Sequence, residues 1–271
     1  MGGRGLRHRR PSSFVRLAVV VALFASCQTG CGLFGSDDVP VSTLRVFAAT
    51  SLTDALREVE QAFSKQHPHI DVQVVTAGSQ VLRLQIEQGA RADVFISANE
   101  THVRQLQQAG LVGDPLVVAL NRLAVAVPSN APASMKVFAD LAEAERLVIG
   151  NANVPLGIYT RRLFDRIEAA GQRPLRAAVE VRVVSEESNA RLVRTKVALG
   201  EADAAIVYRT DVIGQSGLRE IPIPDRLNVT ARYLMATVAG ASTPEAIGRF
   251  RGFLQGAEGR RILSSQGFGL P

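Results

Sequence analysis

From Leu44 onward the chain alternates short β-like runs with longer helix-like ones, a pattern that restricts it to an α/β fold with a largely parallel sheet. LRVFAA (44–49) reads as the first strand. The segment after it places Leu52, Leu56, Val59 and Phe63 at i, i+4, i+7 and i+11, one apolar stripe of a helix lying on a sheet. That helix ends near His67-Pro68. IDVQVV (70–75) alternates as a half-buried strand, TAGS leads into a helix carrying Leu82 and Ile86 and closed by Gly89, and DVFISA (93–98) is a third strand. RLAVAVP (122–128), after the linker-like VVALN, restarts the rhythm. RLVIG (146–150) precedes a helix through LGIYTRRLFDRIEAAG, and VEVRVVS (179–185) precedes a helix ending at Gly200. AAIVY (204–208) mirrors DVFIS. ARYLMATVAG (231–240) then offers a return strand and PEAIGRFRGFLQG a closing helix. Two βα lobes of similar order follow from this, residues 44–121 plus 231–271 and residues 122–230, joined by two crossing strands with a cleft between them.

The first 26 residues have a different character. A basic stretch to Arg16 runs into LAVVVALFAS (17–26) and then Cys27, the layout of an export signal. Ten apolar or small residues fall short of the roughly 20 that a membrane-spanning helix needs. FASC (24–27) resembles a lipobox, with Phe24 where Leu is usual, so residues 1–26 are expected to be removed and Cys27 acylated. Cys31 has no assigned role. Residues 27–43 read as a tether.

Composition closes off several classes. With 46% hydrophobic residues over 271 positions the chain can bury a substantial core. The net charge of +6 suggests nucleic acid until its location is considered: Arg4, Arg7, Arg9, Arg10 and Arg16 all lie in the leader, and without them 26 basic residues face 25 acidic ones. No nucleic-acid surface is therefore expected. Both cysteines, Cys27 and Cys31, precede the folded part, which excludes a disulfide scaffold, a cysteine nucleophile or a thiolate metal site there. Of the four histidines, His8 is in the leader, His67 and His69 flank Pro68, and His102 stands alone on a polar helix; none has the spacing of a metal pair or a catalytic base.

Four strand-to-helix junctions remain: AATSLTD and TAGSQV in the first half, GNANVPLGIY and SEESNARL in the second. Each puts first-turn N–H groups and the positive end of a helix dipole at the carboxyl edge of the sheet, where anions are favoured. Each also has a purely structural explanation. Ser51 and Asp54 have capping-box spacing, Ser79 after Gly78 can cap, and Pro155 suits a first helical position. A cleft lined only by N–H and O–H donors prefers a fully deprotonated dianion, because a protonated oxyanion needs an acceptor for its hydrogen. Sulfate, molybdate and tungstate meet that condition and phosphate at neutral pH does not. Asp54 or Asp211, if turned to the cleft, would supply such an acceptor and favour phosphate.

FAATSLTDAL, AGSQVLRLQIEQGARADVFISAN, VPLGIY and GEADAAIVYRTD together resemble the periplasmic molybdate-binding proteins of ABC importers, over essentially the whole of residues 44–271. The resemblance implies a two-lobed periplasmic binding protein fold of type II, each lobe a mainly parallel sheet flanked by helices, with a molybdate or tungstate dianion held between the lobes by uncharged donors. It implies a binding protein and no enzyme, an ABC permease as partner, no cofactor besides the bound ion, and an exported, lipid-anchored monomer. Matched motif by motif, Ser51 and Ser79 look like the hydroxyl and amide donors of the first lobe. Leu156 stands where Ala is common and Ala190 where Val is frequent, both offering backbone N–H groups, and Tyr208 looks like the phenol donor of the second lobe. Molybdenum would thus be held only through its oxygens. Two positions depart from the pattern: Leu156 is bulky, and Gln80 replaces a second hydroxyl residue. Iron-binding relatives of such folds use tyrosinate clusters, and only Tyr159, Tyr208 and Tyr233 are available here.

Overall fold

The computed structural model describes residues 41–271. The leader, Cys27, Cys31 and all but the last three residues of the tether lie outside the described residues. The first half comprises β1 (Ser42–Ala49), a 3₁₀ turn (Thr50–Leu52), α1 (Thr53–Gln66), β2 (Ile70–Ala77), α2 (Ser79–Glu87), β3 (Val94–Ser97) and α3 (Glu100–Gln108). A long strand β4 (Leu116–Pro128) leads to β5 (Leu147–Gly150), α4 (Pro155–Ala169), α5 (Arg173–Glu180), β6 (Val183–Glu187), α6 (Ala190–Ala198), β7 (Ala204–Tyr208) and β8 (Leu218–Pro222). The chain returns through β9 (Thr230–Thr237) and ends with α7 (Pro244–Gln255) and α8 (Ala257–Ser265).

The strands run in the order β2-β1-β3-β9-β4-β7-β5-β6, with β8 beside β4. β2, β1 and β3 are parallel, as are β6, β5 and β7. β4 and β9 connect these two sets. β4 pairs with β9 from Leu116 to Arg122 and with β7 from Leu123, while β9 pairs with β3 over Leu234–Thr237. A curled sheet flanked by helices results.

Two readings of the sequence change. VVALN is no linker: Val117 to Asn121 extend β4, and the loss of a clear alternation follows from burial on both faces around Val118 and Ala119. VEVRVVS is a strand only from Val183. Pro174 starts α5, and Val179 is fully buried on that helix, one turn beyond Leu175. β1 also begins two residues before Leu44, and LREIP and the separate helix α8 had no periodicity strong enough to mark them.

The apolar stripe of α1 packs as its spacing requires, with Leu56, Val59 and Phe63 buried. Phe63 meets Phe250 and Phe253 of α7 edge-on at 5.4 and 5.5 Å, which fastens the C-terminal helices to the first half of the chain. In the second half, α4 starts unusually close to β5. A Cβ on Gly157 would lie 1.9 Å from the Asn151 carbonyl oxygen and 2.3 Å from that of Gly150, so only glycine permits the approach. Gly157→Ala is expected to cost about 1–3 kcal/mol by overpacking. Urea denaturation measures this, and an unchanged midpoint would contradict the close packing.

Candidate functional site

The carboxyl ends of β1, β2, β5 and β6 each deliver the chain to a helical first turn, and the end of β7 carries Tyr208. The structure brings Ser51, Ser79, Leu156, Ala190 and Tyr208 to one cavity of about 10 Å³. Its other walls are also uncharged, among them Thr50, Gly78, Pro155 and Asn189. Ser79 and Ala190 are the first residues of α2 and α6, and Leu156 is the second of α4, positions whose N–H groups have no carbonyl one turn back to bond. Leu156, despite its bulk, is fully buried within the main apolar core. The space is about that of one water, far below the hundreds of Å³ of pockets that hold organic ligands.

Neither serine does the capping its position suggested. α1 begins at Thr53 with Leu52 before it, no side chain caps it, and Asp54 instead pairs with Arg191 at 3.0 Å. Ser51 Oγ accepts the Tyr233 hydroxyl at 2.9 Å. Ser79 lies inside α2, not ahead of it, and its Oγ accepts the Ala98 N–H at 3.2 Å. Each hydroxyl therefore receives a proton from the protein and keeps its own to offer, at the edge of the cavity.

Tyr208 is 1% exposed, and its hydroxyl has no hydrogen-bond partner among the described residues. Burial, reinforced by Tyr233, Tyr159 and Asp211 nearby, pushes its pKa well above the usual phenol value. It is a neutral donor. The three tyrosines do cluster, with ring centroids 6.5 Å apart for Tyr159–Tyr208 and 5.9 Å for Tyr208–Tyr233. Tyr159 accepts the Arg232 N–H at 3.1 Å, and burial raises the pKa of all three phenols, so the cluster is the reverse of a tyrosinate site.

Polar bridges cross between the two halves around the cavity. Gln80 Nε2 donates to the Ser188 carbonyl at 2.7 Å, so the residue that departs from the hydroxyl pattern reaches the opposite half. His102 Nε2 donates to the Asn153 carbonyl at 3.1 Å; burial lowers its pKa, which leaves a neutral ring on a buried helix face rather than the polar one expected. The Arg191–Asp54 pair is the third bridge. No motif marks these three, because each acts on a partner distant in sequence. Beside the cavity lies a second space of about 230 Å³ that shares Thr50 and Ser51 and is bordered by Asp54, Arg191, Arg194 and Asp211. Asp211 is 5% exposed and accepts the Tyr208 N–H at 3.1 Å. Among the described residues no group of three or more His, Cys, Asp or Glu is arranged to hold a metal ion.

The family described as bacterial extracellular solute-binding protein matches residues 44–269. The chain is similar to the molybdate-binding protein ModA of Mycobacterium tuberculosis, with 33% identity over 262 residues covering 93% of this chain and 97% of that one. Among solved structures it resembles the periplasmic molybdate-binding protein of Azotobacter vinelandii, with a TM-score of 0.70 and 21% identity over 84% of this chain and 99% of the other. It resembles the sulfate-binding protein SubI of Mycobacterium tuberculosis with a TM-score of 0.74 and 14% identity, over 84% of this chain and 86% of the other.

Asp211 gives the site a pH signature. Burial pushes its carboxyl up to about 6, a rise that Arg194, the Tyr208 N–H and Arg191 only partly offset. A carboxyl whose pKa is higher folded than unfolded stabilises the fold below its unfolded value of 3.8 and loses that contribution as pH rises through about 6. Asp211→Asn keeps an acceptor for the Tyr208 N–H and removes the titration. Relative to that variant, the parent protein should be most stable near pH 4 and lose the advantage by pH 7. Denaturant titrations across that range measure the difference, and a flat difference would mean that Asp211 ionises as freely as in the unfolded chain.

Proposed function

This chain belongs to the bacterial extracellular solute-binding proteins, and we propose that it captures molybdate, with tungstate as its near equivalent, and delivers the ion to the permease of an ABC importer. The observation that carries this reading is the buried Tyr208 hydroxyl, unpartnered at a cavity that also gathers Ser51, Ser79 and the helix starts at Leu156 and Ala190. Five charge-assisted hydrogen bonds at a net 1.5–3 kcal/mol each amount to roughly 8–15 kcal/mol before the costs of closure and immobilisation. Submicromolar binding, about −8 kcal/mol, is within reach of such a set without any cation.

The donor-only lining favours a dianion that carries no proton, which disfavours hydrogen phosphate. Sulfate passes that test, and a rigid donor cage set for the larger molybdate would reject it by size, because every bond to the smaller ion would be stretched. None of the residues that line the cavity is poised to exchange protons at neutral pH, and Asp211, pushed up to about 6, borders the adjoining space instead; with solute-binding proteins as relatives, this favours a carrier over an enzyme. We read residues 44–121 with 231–271 as one lobe and 122–230 as the other, a division supported by the change of partners of β4 at Arg122 and Leu123. The basic and apolar leader ending in FASC supports export of a monomer anchored through an acylated Cys27, with the ion as its only bound group.

Isothermal titration with molybdate, tungstate, sulfate and phosphate tests the assignment. The first two should bind tightly and the last two poorly, and sulfate binding as tight as molybdate would sink it. Ser51→Ala and Tyr208→Phe should each weaken molybdate binding by roughly 1–3 kcal/mol. Unchanged affinity in both variants would return these residues to a structural role.

A further inference from the structure

Two buried polar side chains on the crossing strands, Asn121 of β4 and Tyr233 of β9, take no part in the cavity wall. We infer that Asn121, Tyr233 and Ser51 form a one-way hydrogen-bond relay that fixes the Ser51 hydroxyl as a donor toward the cavity, making Tyr233 a positioning and selectivity residue for the bound oxyanion. The inference rests on Ser51 being a ligand donor, as proposed above.

The direction of the relay follows from donor and acceptor chemistry. Asn121 Oδ1 accepts the Arg122 N–H at 2.9 Å, which sets the orientation of the amide. Its Nδ2 then faces Thr210 Oγ1 at 2.9 Å and the Tyr233 hydroxyl at 3.4 Å. The nitrogen of a carboxamide has hydrogens to give and its lone pair is delocalised into the carbonyl, so the Tyr233 oxygen accepts. Its own proton goes to Ser51 Oγ, 2.9 Å away. Ser51, having accepted, directs its remaining proton to the cavity it borders.

The relay is held rigidly. Tyr233 is fully buried, with its ring 5.9 Å from that of Tyr208 and edge-on to Phe268 at 5.4 Å, so the hydroxyl cannot swing away from Ser51. Burial also pushes the phenol far above its ordinary pKa, which keeps the relayed proton in place.

A free serine hydroxyl serves either kind of guest, giving a proton to a bare dianion or accepting one from a protonated oxyanion. A serine that already accepts from Tyr233 has its proton free for the guest and one lone pair left, so its capacity to accept is halved. The relay therefore favours donation to molybdate and leaves hydrogen phosphate only one lone pair of Ser51 to use.

Tyr233→Phe removes the relay's hydroxyl and leaves the ring. Molybdate affinity should fall by roughly tenfold, the order of one net hydrogen bond. Phosphate affinity, measured by displacement of molybdate, should stay level or rise, so that the ratio between the two ions narrows by about the same factor. Calorimetry on the parent protein, Ser51→Ala, Tyr233→Phe and the double variant separates the causes. On the relay, Tyr233→Phe has no further effect once Ser51 is alanine. An equal loss in both backgrounds, or an unchanged molybdate-to-phosphate ratio, overturns the relay and makes Tyr233 a packing residue, while Ser51 stands as a ligand donor. If Ser51→Ala itself leaves molybdate affinity intact, the relay and the assignment of Ser51 fall together.

Discussion

A buried hydroxyl with no partner costs about 1–3 kcal/mol, and the Tyr208 hydroxyl is held in that condition by everything around it. Its ring lies against Tyr159 and Tyr233, whose own hydroxyls are committed to the Arg232 N–H and to Ser51. Its backbone N–H is taken by Asp211. Burial raises the pKa of the phenol, and its hydroxyl stands unpartnered at the cavity, where an acceptor brought by a guest would relieve it. The helix starts share this constraint in another form. Leu156 presents its N–H where Gly150 and Gly157 let α4 approach β5 to backbone contact, and a side chain at Gly157 would displace that donor. Donors set before the ligand arrives lose little freedom when it binds.

The bridges around the cavity are modest by comparison. Arg191 and Asp54 keep 39% and 46% of their side chains exposed, and an ion pair that wet contributes about 0–1 kcal/mol. The contacts from Gln80 to Ser188 and from His102 to Asn153 are single hydrogen bonds to carbonyl oxygens. Contacts of this strength hold the two halves of the chain together only weakly. On the function proposed above, a ligand bonded at once to Ser51 and Ser79 on one side and to Leu156, Ala190 and Tyr208 on the other would supply the larger share of any bias toward closure, because those bonds would exist together only when the halves meet.

The sequence disclosed the parts of this arrangement that depend on local order. Leu52 through Phe63 state their helix by period, and small or hydroxyl residues between a strand and a helix state four junctions, but the five cavity residues, Leu156, Ala190 and Tyr208 above all, are named through the resemblance of their motifs to a known family. It concealed what depends on partners far along the chain. The capping-box spacing of Ser51 and Asp54 is locally valid, yet Tyr233, 182 positions away, takes the serine and Arg191, 137 positions away, takes the aspartate. VVALN looked like a linker because burial on both faces erases the alternation by which an exposed strand is recognised. Gln80 looked like a lost hydroxyl because its carbonyl partner, Ser188, carries no sequence signature at all.

The absence of charge from the cavity wall bears on selectivity. Attraction to a lysine or arginine falls slowly with distance and acts on any anion that comes near, whereas a hydrogen bond weakens steeply once stretched or bent. A cage of fixed neutral donors therefore converts a small difference in ionic radius into a difference in affinity, which a cationic pocket would blur. The charged groups closest to the site, Arg191, Arg194, Asp54 and Asp211, border the adjoining space instead. There two arginines stand beside two carboxylates, so the charge of that space is balanced. On the proposed function, discrimination is left to the smaller cavity, where the hydroxyls of Ser51 and Tyr208 are best met by a guest that brings acceptors.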